Sequence, residues 1–127
     1  MITADRMAAV DANAAALGIP RKQLMESSGN AVARVVRSEV DPDSRVVLVC
    51  GRGNNGGDAF VAARFLGDYD IEVALLGRPD AIGTEIASEN WDALQAAGLP
   101  TTTVTDTSQI DALDLDAADC IVDAMLG

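Results

Sequence analysis

Residues 45–60 read Arg45-Val46-Val47-Leu48-Val49-Cys50-Gly51-Arg52-Gly53-Asn54-Asn55-Gly56-Gly57-Asp58-Ala59-Phe60. Val46 to Cys50 is a short unbroken apolar run rich in β-branched residues, the pattern of a strand buried on both faces of a parallel sheet. The eight residues from Gly51 to Asp58 hold four glycines and two asparagines. From Gly57 to Leu66 an apolar pattern with helical spacing resumes. Strand, glycine-rich turn and helix together place backbone N–H groups and a helix N-terminus where they can meet a phosphate.

Upstream of this unit, Thr3 caps an expected helix to about Leu17, with Met7, Val10, Ala14 and Leu17 on one face. Gly18 and Pro20 stop it. A second helix is expected from Arg21 to Val40, carrying Leu24, Met25, Ala31, Val32, Val35 and Val36. Gly29 inside it is either a close packing point or a weak spot, since glycine costs about 1 kcal/mol against alanine there. Downstream, a strand is expected over Ile71–Leu76, a long helix over Ala81–Ala97 and a more polar strand over Thr101–Thr105. A helical turn at Ser108–Leu113 and a last strand, Cys120-Ile121-Val122, complete the order. Alternating strands and helices predict an α/β fold, a mainly parallel sheet with helices on both faces. The Gly51–Asp58 loop and the Asp123–Gly127 stretch both follow strand C-termini and are candidates to face one pocket. The sequence stops at Gly127, in the middle of an expected ligand loop, so a single domain over 1–127, truncated at its C-terminus, is the expectation.

The chain has 127 residues, 49% of them hydrophobic, enough for a core of its own. No apolar run approaches the roughly 20 residues of a membrane span, and the N-terminus lacks a basic-then-apolar signal pattern. A cytoplasmic protein is the expectation. The net charge of −11 argues against a nucleic-acid partner. Fifteen Asp and five Glu stand against eight Arg and a single Lys, Lys22. An acidic surface nearly stripped of lysine fits a salt-loaded cytoplasm, where the Debye length falls to about 3 Å at 1 M salt and self-repulsion costs little. There is no histidine, so Ser-His and Cys-His triads are excluded and a zinc site is not expected. Cys50 and Cys120, each in an apolar run, are expected to be small core residues.

Gly51-x-Gly53-x-x-Gly56 formally matches a dinucleotide fingerprint. That fingerprint also calls for an acid at the far end of the next strand to hold the ribose. Here Asp70 and Glu72 sit at the start of that strand, and its end offers Arg78, so an ordinary nicotinamide dehydrogenase is not supported. A phosphate-loop lysine is also missing. Asn54 and Asn55 bring amide donors and acceptors, and Gly56 and Gly57 allow close backbone approach. Asp58 either accepts ribose hydroxyls or caps the helix that follows. Asp123 is either a solvated turn residue or a carboxylate aimed into the pocket, able to bind a cation or move a proton.

Gly51 to Asp58 together with Val122-Asp123-Ala124-Met125-Leu126-Gly127 resembles the YjeF N-terminal domain, the NAD(P)HX epimerase family. Ala12, Gly18-Ile19-Pro20 and Leu24-Met25-Glu26-Ser27-Ser28-Gly29 are similar to the opening helices of that family. The resemblance covers nearly the whole chain. It implies a Rossmann-like three-layer αβα sandwich with a mainly parallel sheet, preceded by two N-terminal helices, and usually a homodimer. The implied reaction interconverts the R and S forms of hydrated NADH or NADPH, a repair step feeding a dehydratase to which some relatives are fused. Carried over by position, Asn54, Asn55, Gly56, Gly57 and Asp58 contact the hydrated dinucleotide. Asn55 and Asp123 match potassium ligands, Asp123 matches an acid that assists proton movement, and Gly127 matches the first residue of a second substrate loop. Ser27-Ser28 stands where the family usually has Asn-Ala, Ala59 where it has Gly, and Met125-Leu126 where it has Leu-Phe. The rest of the substrate loop, another acid and another potassium ligand would follow Gly127. The alternatives are a non-catalytic nucleotide-binding or scaffold domain of the same fold, and a structural fragment of a larger enzyme.

Overall fold

A computed structural model describes residues 20–126. The expected helix over Thr3–Leu17 and the residue Gly127 lie outside the described residues. Seven elements carry the fold: α1 (Arg21–Glu39), β1 (Arg45–Cys50), α2 (Asn54–Arg64), β2 (Asp70–Leu76), α3 (Glu85–Ala96), β3 (Thr101–Val104) and β4 (Cys120–Ala124). The four strands form one parallel sheet in the order β3-β2-β1-β4. The α/β class and the Rossmann-like sheet are as the sequence predicts, but among the described residues α-helices cover one face of the sheet rather than both.

Alternation along the strands sends two sets of side chains to opposite faces. Val46, Leu48 and Cys50 of β1, Ile71, Val73 and Leu75 of β2, and Cys120, Val122 and Ala124 of β4 join one core with the helices. Helix α1 offers that core a stripe of Met25, Ser28, Gly29, Val32, Ala33 and Val36, spaced three and four apart. Helix α2 lies between α1 and α3, and every residue from Asn55 to Ala63 is buried. A helix enclosed on all sides needs small residues, which Gly56, Gly57, Ala59, Ala62 and Ala63 supply. Phe60 fills the centre, edge-on to Trp91 of α3 with ring centroids 5.3 Å apart. Gly29 is a packing point: a Cβ there would come 2.3 Å from Val61 Cγ1, so α1 and α2 touch backbone against side chain.

The other face carries Val47 and Val49 of β1, Ala74 and Leu76 of β2, and Val104 of β3. Its third layer, among the described residues, consists of the 3₁₀ segments Thr107–Leu113 and Leu115–Ala117, with Leu113 packed on Ala74 and Val104. These segments carry the chain from β3 at one edge of the sheet to β4 at the other. The first is held by a capping box in which the Asp106 side chain and Gln109 exchange hydrogen bonds with each other's backbone.

Several boundaries differ from expectation, among them the end of β4, which runs to Ala124. The helix expected from Ala81 is a 3₁₀ turn at Pro79–Ala81 followed, after a break, by α3 from Glu85. Thr84 is the true N-cap, its hydroxyl accepting from Ala87 N at 3.2 Å. Helix α2 begins at Asn54, three positions before Gly57. At the opposite end of the sheet, the Arg37 guanidinium makes two hydrogen bonds of 2.8 Å to the Asp68 carboxylate and tethers α1 to the turn before β2. That hydrogen bonding holds the Asp68 carboxyl below its ordinary range and pushes the guanidinium further up.

Candidate functional site at the sheet switch point

In the order β3-β2-β1-β4 the chain leaves β1 toward one side and returns on the other, so the switch point lies between β1 and β4. Open α/β sheets bind ligands outside the C-terminal strand ends at that point. The Gly51–Gly53 turn and the start of α2 stand there. Gly51 N donates to Ala124 O at 2.8 Å, and a Cβ on Gly51 would come 2.3 Å from Met125 O. A Cβ on Gly56 would come 2.1 Å from Gly51 O. Both positions need glycine because backbone meets backbone, which settles why the turn is glycine-rich.

The two adjacent asparagines reach in opposite directions. Asn54 Oδ1 accepts from the Thr84 hydroxyl at 2.9 Å and joins α2 to the cap of α3. Asn55, 9% exposed, donates through Nδ2 to Leu126 O and joins α2 to the turn after β4. The helix start is thereby fixed to both flanking loops. The N-cap of α2 is Gly53, which makes no side-chain cap bond, so Asp58 is not the cap of this helix. Asp58 lies inside the helix, 1% exposed, and lines an open groove of about 370 Å³ with Arg21, Leu24, Met25, Asn54, Thr84 and Ile86. Gly57 completes that wall: a Cβ on it would come 2.6 Å from Met25 Cε.

Asp123 belongs to β4, in register with Val49, and its side chain faces the third layer rather than the helices. Its Oδ1 accepts from Met125 N at 3.1 Å. It stands in a second groove, about 290 Å³, otherwise lined by apolar side chains that include Val49, Leu76, Leu113 and Met125. Of the residues singled out in the sequence, Asn54 to Asp58 form one cluster at the α2 start. Asn55 and Asp123 are joined through the Met125-Leu126 backbone. Sequence reasoning missed Thr84 and Arg21, which share the groove with Asp58. The signal for Thr84 was present, a threonine followed by Glu85-Ile86-Ala87 at a helix start.

Among the described residues no three His, Cys, Asp or Glu side chains gather as a metal site. The oxygen donors near the switch point are instead amide and carboxylate: with Nδ2 engaged, Asn55 keeps Oδ1 as an acceptor, and Asp123 keeps Oδ2. Such a set suits a hard cation bound by oxygen rather than a thiophilic one. Cys50 and Cys120 are both buried and unbridged, and desolvation raises both thiol pKa values, which keeps them protonated core residues. No helix among the described residues is long and apolar enough to cross a membrane.

Comparison with known proteins agrees with this fold. The chain is 48% identical, over 95% of its length, to the bifunctional NAD(P)H-hydrate repair enzyme Nnr of Methanothermobacter thermautotrophicus, of which it spans 24%. It is 38% identical, over 99% of its length, to the NAD(P)H-hydrate epimerase of Cenarchaeum symbiosum, of which it spans 58%. The crystal structure of yeast ynu0, YNL200c, superposes with a TM-score of 0.71 at 28% identity, covering 100% of this chain and 57% of that one. The chain therefore spans between about a quarter and three fifths of the length of these three proteins. With residues 21–127 matching its description, this chain belongs to the YjeF-related protein N-terminus family.

Proposed function

We propose that this chain forms part of an epimerase that interconverts the R and S forms of hydrated NADH or NADPH, in a nicotinamide nucleotide repair system. The single observation carrying this reading is the start of α2, lodged at the switch point. Two asparagines pin it to both flanking loops, and Asp58 lines the adjoining groove. A helix N-terminus at a sheet switch point can present backbone N–H groups to a phosphate-bearing ligand. The names carried by the archaeal relatives support the same substrate class.

In this reading, epimerisation at the hydrated ring carbon proceeds by departure of the hydroxyl with a proton as water and return of water to the opposite face. A carboxylate able to lend one proton and take one back suffices, and Asp123 is the group assigned to this role. Asn55 and Asp123 would hold a potassium ion, which when bound would supply a fixed positive charge beside the dinucleotide. The lysine-poor acidic composition fits a potassium-rich, salt-adapted cytoplasm, and the bifunctional relatives support a dehydratase fused to or working beside this domain. A homodimer completes the reading, to be checked by sedimentation.

The test is to follow one purified NADHX epimer chromatographically with this chain in concentrated KCl, beside an Asp123→Asn variant. Interconversion accelerated by the chain and abolished in the variant is the expected result. Absence of any acceleration over the uncatalysed rate would leave a scaffold role or a structural fragment of a larger enzyme, which the same assay on a chain extended past Gly127 would separate.

A further inference from the structure

At the C-terminal tip of β2 the chain reads Leu75-Leu76-Gly77-Arg78, with no carboxylate. In dinucleotide-binding sheets an acid near this tip holds the ribose 2′-hydroxyl of NAD, whereas an arginine nearby accommodates a 2′-phosphate. Two arginines compete for that role. Arg78 is already engaged, 2.9 Å from Asp80, the first acid after the strand. Arg52, from the glycine-rich turn, forms no ion pair among the described residues, in a chain of net charge −11.

Arg52 is also placed at the tip by the backbone around it. Its carbonyl accepts from Gly83 N at 2.7 Å, which ties the turn to the loop before α3. Its side chain runs across Gly77: a Cβ on Gly77 would come 2.7 Å from Arg52 Cδ and 3.2 Å from Nε. Gly77 has φ +124°, a conformation that favours glycine, so the residue that frees the path of Arg52 is also the one the turn demands. The Arg52 side chain therefore lies against the C-terminal end of β2, where dinucleotide-binding sheets place the ribose, and is exposed to solvent.

We propose that Arg52 is the specificity-determining residue for the 2′-phosphate of the adenosine half, so that the site selects the phosphorylated dinucleotide over the unphosphorylated one. This rests on the reading of the site as one for a hydrated nicotinamide dinucleotide. A guanidinium offers a planar fork of donors to phosphate oxygens, and with no carboxylate holding it the fork is available. Arg78, whose carboxylate partner offsets its charge, contributes less.

The experiment titrates the 127-residue chain with adenosine 2′,5′-bisphosphate and, separately, with adenosine 5′-monophosphate, by calorimetry at moderate KCl. The bisphosphate is expected to bind about tenfold more tightly, as one charge-assisted phosphate contact allows. Arg52→Gln is expected to bring the two affinities together by weakening the bisphosphate alone; Arg52→Lys keeps part of the difference, and Arg78→Gln keeps most of it. Equal affinities in the unaltered chain overturn the proposal. So does a preference that survives Arg52→Gln, and so does an equal weakening of both ligands. If the chain fails to epimerise hydrated dinucleotides yet keeps an Arg52-dependent preference, the assigned reaction falls and the 2′-phosphate subsite stands.

Discussion

The two faces of the sheet are built to different standards. On the helical face, α1, α2 and α3 cover the strands, and α1 meets α2 so tightly that Gly29 has no room for a Cβ. On the other face, two 3₁₀ segments leave a groove of about 290 Å³, and Ile110 and Met125 are 38% and 46% exposed. The helical face holds the start of α2 in place, and the open face carries Asp123. The faces thus differ in how the strands are covered, while each keeps a groove, about 370 Å³ beside Asp58 and about 290 Å³ beside Asp123, and the Met125-Leu126 backbone joins them at the strand ends.

The sharpest way to break this contrast is truncation on each side. Phe60→Ala removes the ring at the centre of α2 and should cost about 3–5 kcal/mol in urea unfolding, while Ile110→Ala on the open face should stay within about 0.5 kcal/mol. Equal losses would mean that the faces are packed alike. Next in size is Gly29→Ala. Better helix propensity gains about 1 kcal/mol, but the collision with Val61 costs about 1–3 kcal/mol, so thermal denaturation should show a net loss. A gain in melting temperature would show that α1 can move away from α2.

A smaller effect is expected where the faces meet. Asn55→Ala cuts the tie to Leu126 O and should cost about 1 kcal/mol, whereas Asn54→Ala, losing an exposed bond to Thr84, should cost less. The reverse order would place the anchoring of α2 on the α3 side. Smallest is the rim of the helical face. The Asp68 carboxyl is held below its ordinary range by Arg37, so its contribution is fully present above the range of an unfolded aspartate. That contribution is lost as pH falls through the lowered folded value. Asp68→Asn should therefore lower stability slightly near neutrality and flatten the acid limb of a stability–pH curve at low salt, the two proteins converging as pH falls. Concentrated KCl should erase the difference, because the pair is exposed and screened.

Much of this arrangement is legible in the residues. The strand Val46–Cys50, the glycine-rich turn and the order of elements follow from apolar runs and turn chemistry, and Gly29 declares a packing point once its neighbours are known. The boundaries that slip do so for identifiable reasons. Gly53 caps α2 with backbone alone, so nothing in its side chain announces the start at Asn54. Pro79–Ala81 makes one 3₁₀ turn that continues the apparent pattern of α3, although Thr84 marks the real cap. Asp58 is the instructive case. An acid beside two glycines reads locally as a cap, and only the enclosure of α2 by two other helices turns it into a buried carboxylate on a groove. Likewise Asp123 reads as a turn residue until the register with Val49 extends β4 by two positions beyond the expected strand. Side-chain roles that depend on what lies across a sheet are not written in local spacing.

The enclosure of α2 also gives the protein an internal clock. Amides exchange their hydrogens with solvent only when the segment holding them opens, and a helix buried on every side opens only with the whole domain. The amides of Phe60 to Ala63 should therefore exchange at the rate set by global unfolding and serve as a built-in reference. The first turn of the same helix, at Asn54 and Asn55, borders the crevice instead. Slowing of that turn relative to the reference would register an occupant at the switch point without any assay of turnover.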